Sequence, residues 1–283
     1  MNIQSDVAPL QTVLVRRPDA AFGNAEPVRW HYVSQPDLDE AQKEHDALVR
    51  LLREHSGAEV VYHVNPLPDH ADAIYVRDPV LMCAQGAIIL QMGKDLRRGE
   101  ERALEMTLTQ LGIPIHARLT GEATAEGGDL LWIDAKTLAV GVGFRTNMEG
   151  VRQLQAALPN VDVLPFHLPY GDGPDACLHL MSFVSMIDDD LAVVHLSQMP
   201  VPFYQLLVKR GIKMVEVPGN EYQAMATNVL ALGPRKCLML DGNPVTKARL
   251  EAAGCKVWTY KGEEISRKAE GGPTCLTRPI ARG

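Results

Sequence analysis

Four times along this chain, two short apolar runs flank a tight turn and then lead into an amphipathic helix. The first unit is "DPVLMCAQGAIILQM" around Gln85-Gly86, followed by "RRGEERALEMTLTQLG". "DLLWIDAKTLAVGV" turns at Asp134-Ala135-Lys136 and leads to "TNMEGVRQLQAAL". "SFVSMIDDDLAVVHL" leads to "PVPFYQLLVKRG", and "NVLALGPRKCLML" to "NPVTKARLEAAG". Most of these helices end in a glycine, as a left-handed C-cap requires. The units begin near Asp78, Asp129, Ser182 and Asn228, about 50 residues apart. A period of that size points to a propeller or an array.

A fifth unit assembles from the two ends of the chain. "QTVLVRRP" supplies a strand, "DEAQKEHDALVRLLREHSG" a helix, and "GGPTCLTRPI" the partner strand. Joining the ends closes the ring and removes open sheet edges. The expected fold is therefore a five-bladed α/β propeller of ββαβ-like units, one domain over residues 1–283, with an ordinary α/β sandwich as the alternative. An apolar fraction of 46% over this length supports a core without disulfides. The five cysteines are far apart and form no CxxC pair, which argues against a disulfide framework or a zinc knuckle.

The formal charge is −7 with scattered basic residues, which offers no surface to nucleic acid or anionic membrane. The N-terminal residues lack a basic stretch followed by an apolar one, and no run reaches membrane-spanning length. A cytoplasmic protein is expected, and a homodimer is the assembly that exposed propeller faces would make.

Ring closure gives the glycines of "GGPTC" a reading: Gly271 and Gly272 would adopt conformations closed to other residues, and Pro273 would fix a torsion. Cys275 then falls near the ring axis, where the starts of the other units place Asp78, Asp129 and His179. A nucleophilic cysteine needs a base, and His179 in "CLHLMSF" holds the matching place in its unit. "AEGGDLLW" offers Glu126 and Asp129 to orient that imidazole, Glu126 being preferred because Asp129 would more readily cap a turn. Asp72 and Asp78 in "DAIYVRDP" add carboxylates. A thiolate among several carboxylates suits a small-molecule guanidinium substrate, held bidentately and attacked at its central carbon. Acyl transfer would need an oxyanion hole, which these charges oppose.

The ordered motifs "YVRDP", "EGGD", "FRTN", "LHLMSF" and "GGPTC" resemble the guanidino-group-modifying enzymes of the pentein-type fold, most of all the dimethylarginine dimethylaminohydrolases. The resemblance runs from about Asp72 to the C-terminus. It implies that Cys275 is the nucleophile, His179 the general acid and base, and Glu126 its orienter. It further implies that Asp72 and Asp78 bind the guanidinium and that Arg145 holds a substrate carboxylate; Asp129, if it does more than cap a turn, would join them in binding substrate. Neither metal nor organic cofactor is implied.

The chain departs from that pattern in places. Met92 stands roughly where a second carboxylate-binding arginine is usual, with Arg97 and Arg98 just beyond, and Arg77 replaces an acidic residue, as in arginine deiminases. Those deiminases carry Asp where this chain has Met181. Another small guanidine remains an alternative substrate, amidino transfer an alternative reaction, and a non-catalytic binding propeller an alternative of a different class. "AAFGNAEPVRWHYVSQPD" reads either as a lid or as a packed loop with aromatic anchors. Cys83, Cys177, Cys237 and Cys255 lie in apolar runs and read as core, and Asp188 to Asp190 as a solvated hairpin turn.

Overall fold

A computed structural model describes residues 3–283; residues 1 and 2 of the expected domain lie outside the described residues. Each ββαβ unit forms one three-stranded sheet, giving five in all. The terminal unit pairs β1 (Leu10–Val15) with both β2 (Glu59–Tyr62) and the last strand of the chain. The next sheets are β3 (Val80–Cys83), β4 (Gly86–Ile89) and β5 (Ile115–Arg118), then β6 (Leu130–Asp134), β7 (Thr137–Val142) and β8 (Asp162–His167). The remaining units contain β9 (Val184–Asp188), β10 (Leu191–Val194) and β11 (Lys213–Glu216), then β12 (Leu230–Gly233), β13 (Lys236–Leu240) and β14 (Lys256–Tyr260). The last strand, β15 (Arg278–Arg282), pairs antiparallel with β1, so the two ends of the chain share a sheet as expected. In every sheet the middle strand is antiparallel to the first strand and parallel to the third, which a helix separates in sequence.

Local chemistry explains the repeating helix. In Leu38–Ser56, Asp37 accepts the amide of Glu40 at the N-cap, and Gly57 closes the other end at φ 71°. Ala41, Leu48, Val49 and Leu52 recur on one face and are buried against the terminal unit. Truncating Leu52, which is fully buried, would cost about 2–5 kcal/mol. Gly112, Gly211 and Gly254 follow the helices of three other units, all at positive φ.

The first strands, or the turns entering them, touch in sequence around a ring. Trp132 on β6 donates its indole N–H to the Met82 carbonyl of β3, 3.3 Å away. Leu180 N, ahead of β9, donates to Asp129 at 2.9 Å, and Ser185 on β9 donates to the Thr227 carbonyl at 2.7 Å. Arg282 on β15 reaches the Ala231 carbonyl of β12 at 3.0 Å, and Arg278 reaches the Val80 carbonyl of β3 at 2.9 Å. That last contact closes the circle. Asp6 pairs with buried Arg77 at 2.9 Å and accepts the amide of Trp132.

The segment from Ala21 to Asp37 is packed down. Phe22, Trp30 and Tyr32 are buried, and the Val33 amide donates to the Lys268 carbonyl. Its aromatic residues anchor it, and Trp30 and His31 line the cavity in which the site residues meet. Among the described residues no helix is long and apolar enough to cross a membrane. The Asp188–Asp190 turn joins β9 to β10, bridged by Arg235. Cys83, Cys237 and Cys255 are buried as expected, whereas Cys177 is exposed.

Candidate active site

Each ring strand is entered by a short irregular segment, and these five segments converge. Asp78 precedes β3, Glu126 and Asp129 precede β6, His179 precedes β9, Asn228 precedes β12, and Cys275 precedes β15. Cys275, His179, Asp72, Asp78 and Arg145 all line one cavity of about 40 Å³, which adjoins a groove of about 870 Å³.

Glu126 is fully buried and accepts four donors. Oε1 takes the amides of Gly93 and Lys94, each at 3.0 Å, while Oε2 takes His179 Nε2 at 2.8 Å and Arg145 Nη1 at 3.2 Å. Burial alone would push this carboxyl up, but His179 and Arg145 outweigh it and hold it well below the usual range. His179 responds in the opposite sense. Burial opposes its charge, yet Cys177, Asp129 and Glu126 hold it well above the ordinary imidazole value. With Nε2 committed to Glu126, Nδ1 is the nitrogen left to the cavity.

Cys275 receives the Asn228 side-chain N–H at 3.3 Å, while Asn228 Oδ1 accepts the amide and hydroxyl of Thr274. Burial raises the thiol pKa, followed by Asp78 and Cys177; Asn228 and His179 pull the other way. The two glycines before it act by close approach rather than by torsion, contrary to the sequence reading. Neither has positive φ, and it is Glu270 that adopts φ 59°. A Cβ on Gly271 would lie 2.1 Å from the Tyr75 ring, and one on Gly272 2.3 Å from Asn228 Cγ.

Asp72 accepts Tyr32 Oη and Lys94 Nζ, both at 2.7 Å. Asp78 accepts Arg97 Nη1 at 2.6 Å and the Gly128 amide at 2.9 Å. These carboxylates stand at the cavity with basic partners behind them.

Asp129 does not line the cavity with Asp72 and Asp78; it binds a backbone amide, the reading preferred for it from the sequence. It is fully buried, outside the cavity lining, with its oxygens on Thr146 Oγ1 and the Leu180 amide. Burial raises its pKa to about 6. Its place is to join the second unit to the third. Arg145 faces the cavity while bonded to Glu126, and Met92 is buried away from the lining.

Three lining or supporting residues went unassigned in the sequence, and a fourth, Cys177, was read as core. Asn228 heads the fourth unit, so the repeat could have flagged it. Lys94 and Arg97 supply cations after the loss of an arginine near Met92, with Lys94 Nζ also 5.3 Å from the Trp30 ring. Cys177 faces His179 Nδ1 at 3.7 Å rather than filling a core. No group of three or more metal-ligating side chains occurs among the described residues.

Comparison with known proteins gives a consistent result. The family model described as "N,N dimethylarginine dimethylhydrolase, eukaryotic" matches residues 17–282. The N(G),N(G)-dimethylarginine dimethylaminohydrolase of Streptomyces coelicolor is 32% identical over 95% of this chain and 96% of its own. The arginine deiminase of Mycobacterium marinum is 28% identical over 82% of this chain and 64% of its own. Among solved structures, the Pseudomonas aeruginosa dimethylarginine dimethylaminohydrolase, a cysteine-to-serine mutant complexed with citrulline, has a TM-score of 0.79 at 24% identity, covering 95% of this chain and 98% of its own. The N-terminal domain of ArgZ, a cyanobacterial arginine dihydrolase, has a TM-score of 0.83 at 19% identity, covering 96% and 98%. The chain belongs to the dimethylarginine dimethylaminohydrolase family, hydrolases of C–N bonds in linear amidines.

Proposed function

We propose that this protein hydrolyses an Nω-methylated arginine to citrulline and methylamine or dimethylamine, with Cys275 as nucleophile. The observation that carries this reading is the convergence of Cys275 and a Glu126-bound His179 on one cavity with Asp72 and Asp78. The carboxylates attract the planar cation and fix its plane. Cys275, its proton lost to solvent because the bound cation favours the thiolate, adds its sulfur to the guanidinium carbon, and His179 Nδ1 delivers its proton to the departing amine. The S-alkylthiouronium intermediate keeps its carbon on sulfur. His179, now neutral, takes a proton from water, whose oxygen adds to the same carbon and expels the Cys275 thiolate, releasing the ureido product. Arg145, buried on one side by Glu126 and open to the cavity, takes the substrate carboxylate.

A second reading, hydrolysis of arginine itself, is favoured by Lys94. Its ammonium bonds Asp72 Oδ2, and with that side chain in place the cavity measures only about 40 Å³. The test is a panel of Nω,Nω-dimethylarginine, Nω-methylarginine, arginine, agmatine and methylguanidine, with Cys275→Ser as control. Citrulline with dimethylamine, abolished in the control, supports the first reading. Citrulline with ammonia from arginine supports the second. Turnover only of compounds lacking the carboxylate refutes the role given to Arg145.

A further inference from the structure

The cavity contains a second sulfur that the proposed hydrolysis does not use. Cys177 is exposed, sits two residues before His179, and places Sγ 3.7 Å from His179 Nδ1. Cys275 lines the same cavity and the same adjoining groove. Both thiols therefore open onto one small cavity, and Cys177 is among the groups that raise the Cys275 thiol pKa, after burial and Asp78. One histidine therefore serves two thiols, one open to solvent and one enclosed.

We propose that Cys177 and Cys275 form a peroxide-responsive dithiol whose disulfide switches the active site off. The sulfur that reacts first is Cys177, exposed and 3.7 Å from His179 Nδ1, attacking as the thiolate as any cysteine nucleophile must. It attacks one oxygen of a hydroperoxide. The O–O bond breaks, Cys177 becomes the sulfenic acid, and His179 supplies the proton that lets the other oxygen leave as water or an alcohol. Cys275 sulfur then attacks the sulfenic sulfur. An S–S bond forms, the S–O bond breaks, and the hydroxyl leaves as water with the Cys275 proton. The two electrons given up by the sulfurs are those that reduced the peroxide. A dithiol reverses the change by exchange. Cys177 lies at the end of a loop that turns at Gly171 and Gly173, both at positive φ, and the S–S bond is made by carrying the end of this loop toward Cys275.

The test is exposure of the whole protein to a small excess of hydrogen peroxide, followed by peptide mapping without reduction. A Cys177–Cys275 cross-linked peptide is expected, formed at least about tenfold faster than over-oxidation of Cys275 and removed by dithiothreitol. Mapping is required because Cys237 and Cys255 also lie against one another, and a loss of two hydrogens alone would not distinguish the pairs. Cys275→Ser should stop at a sulfenic acid on Cys177, trapped by dimedone, and Cys177→Ser should give no cross-link. Peroxide-treated wild type should lose activity and regain it with dithiol, each sample scored against its own untreated rate. Cys275 oxidised directly to sulfinic acid at equal rates in wild type and Cys177→Ser, with no cross-link, overturns the proposal. The cross-link is read without substrate, so it stands or falls separately from the identity of the guanidine hydrolysed.

Discussion

Gly128→Ala is the substitution whose effect follows most directly from geometry. Gly128 lies beneath the His179 ring, and a Cβ there would stand 2.4 Å from Nδ1 and 2.7 Å from Cγ. Ordinary contact begins at 3.4 Å, so the imidazole must move by about 1 Å. Gly128 is not at positive φ, and alanine adds no torsional strain of the left-handed kind. The methyl group therefore acts on the ring, lifting Nδ1 from its place and stretching the 2.8 Å bond from Nε2 to Glu126. A misplacement of about 1 Å in a catalytic group costs about 10²-fold, or about 2.7 kcal/mol of barrier. The overpacking should also lower stability by about 1–3 kcal/mol. The assay is kcat/KM by ureido-product formation on a substrate the panel identifies, beside a thermal melt. Gly219→Ala, where a Cβ meets nothing within 4 Å, serves as the control. A folded Gly128→Ala within about threefold of wild type would refute the claim that His179 works from this position.

Two further substitutions probe the charges. Asp78 is, after burial, the largest influence raising the Cys275 thiol pKa, so Asp78→Asn should shift thiolate formation to lower pH, followed by absorbance at 240 nm; an unchanged or upward shift would contradict it. Asp129 has a folded pKa of about 6 against an ordinary 3.8, so the folded protein keeps a proton there that the unfolded chain loses in between. That contribution to stability is full below about pH 4 and is lost as pH rises toward 6, a swing of about 3 kcal/mol. Asp129→Asn removes the swing, so between pH 4 and 7.5 denaturant midpoints should move in the variant's favour; a constant offset would refute the assignment.

The fold was legible because each unit states its own boundaries. Turn residues such as Gln85-Gly86 and glycines such as Gly112 and Gly254 sit where the backbone needs them, and four copies of one pattern reinforce each other. The convergence of the candidate site was legible for the same reason, since Cys275, Glu126 and His179 hold matching places in their units. What could not be read depends on side-chain direction across the ring. Lys94 reaches Asp72 and Trp30 through a long flexible stem, and nothing in "MGKD" announces it. Cys177 stands in an apolar-looking run, yet the loop from Gly171 turns it outward. The glycines before Cys275 were noticed for a torsional reason when the operative one was contact with Tyr75 and Asn228, which only assembled neighbours reveal.

The placement of the site residues on the segments entering the five ring strands bears on how such a protein can change. Turning the ring by one unit carries the Cys275 segment onto that of Asp78, and the His179 segment onto that of Asn228. The strand ladders are therefore indifferent to which reactive side chain stands at each entrance, because they begin only after it. Chemistry can be revised one unit at a time: a different cation neighbour, acceptor or nucleophile costs no strand pairing. A lineage built on this ring can drift between substrates, or lose its reaction and keep its shape, by single exchanges at five interchangeable seats.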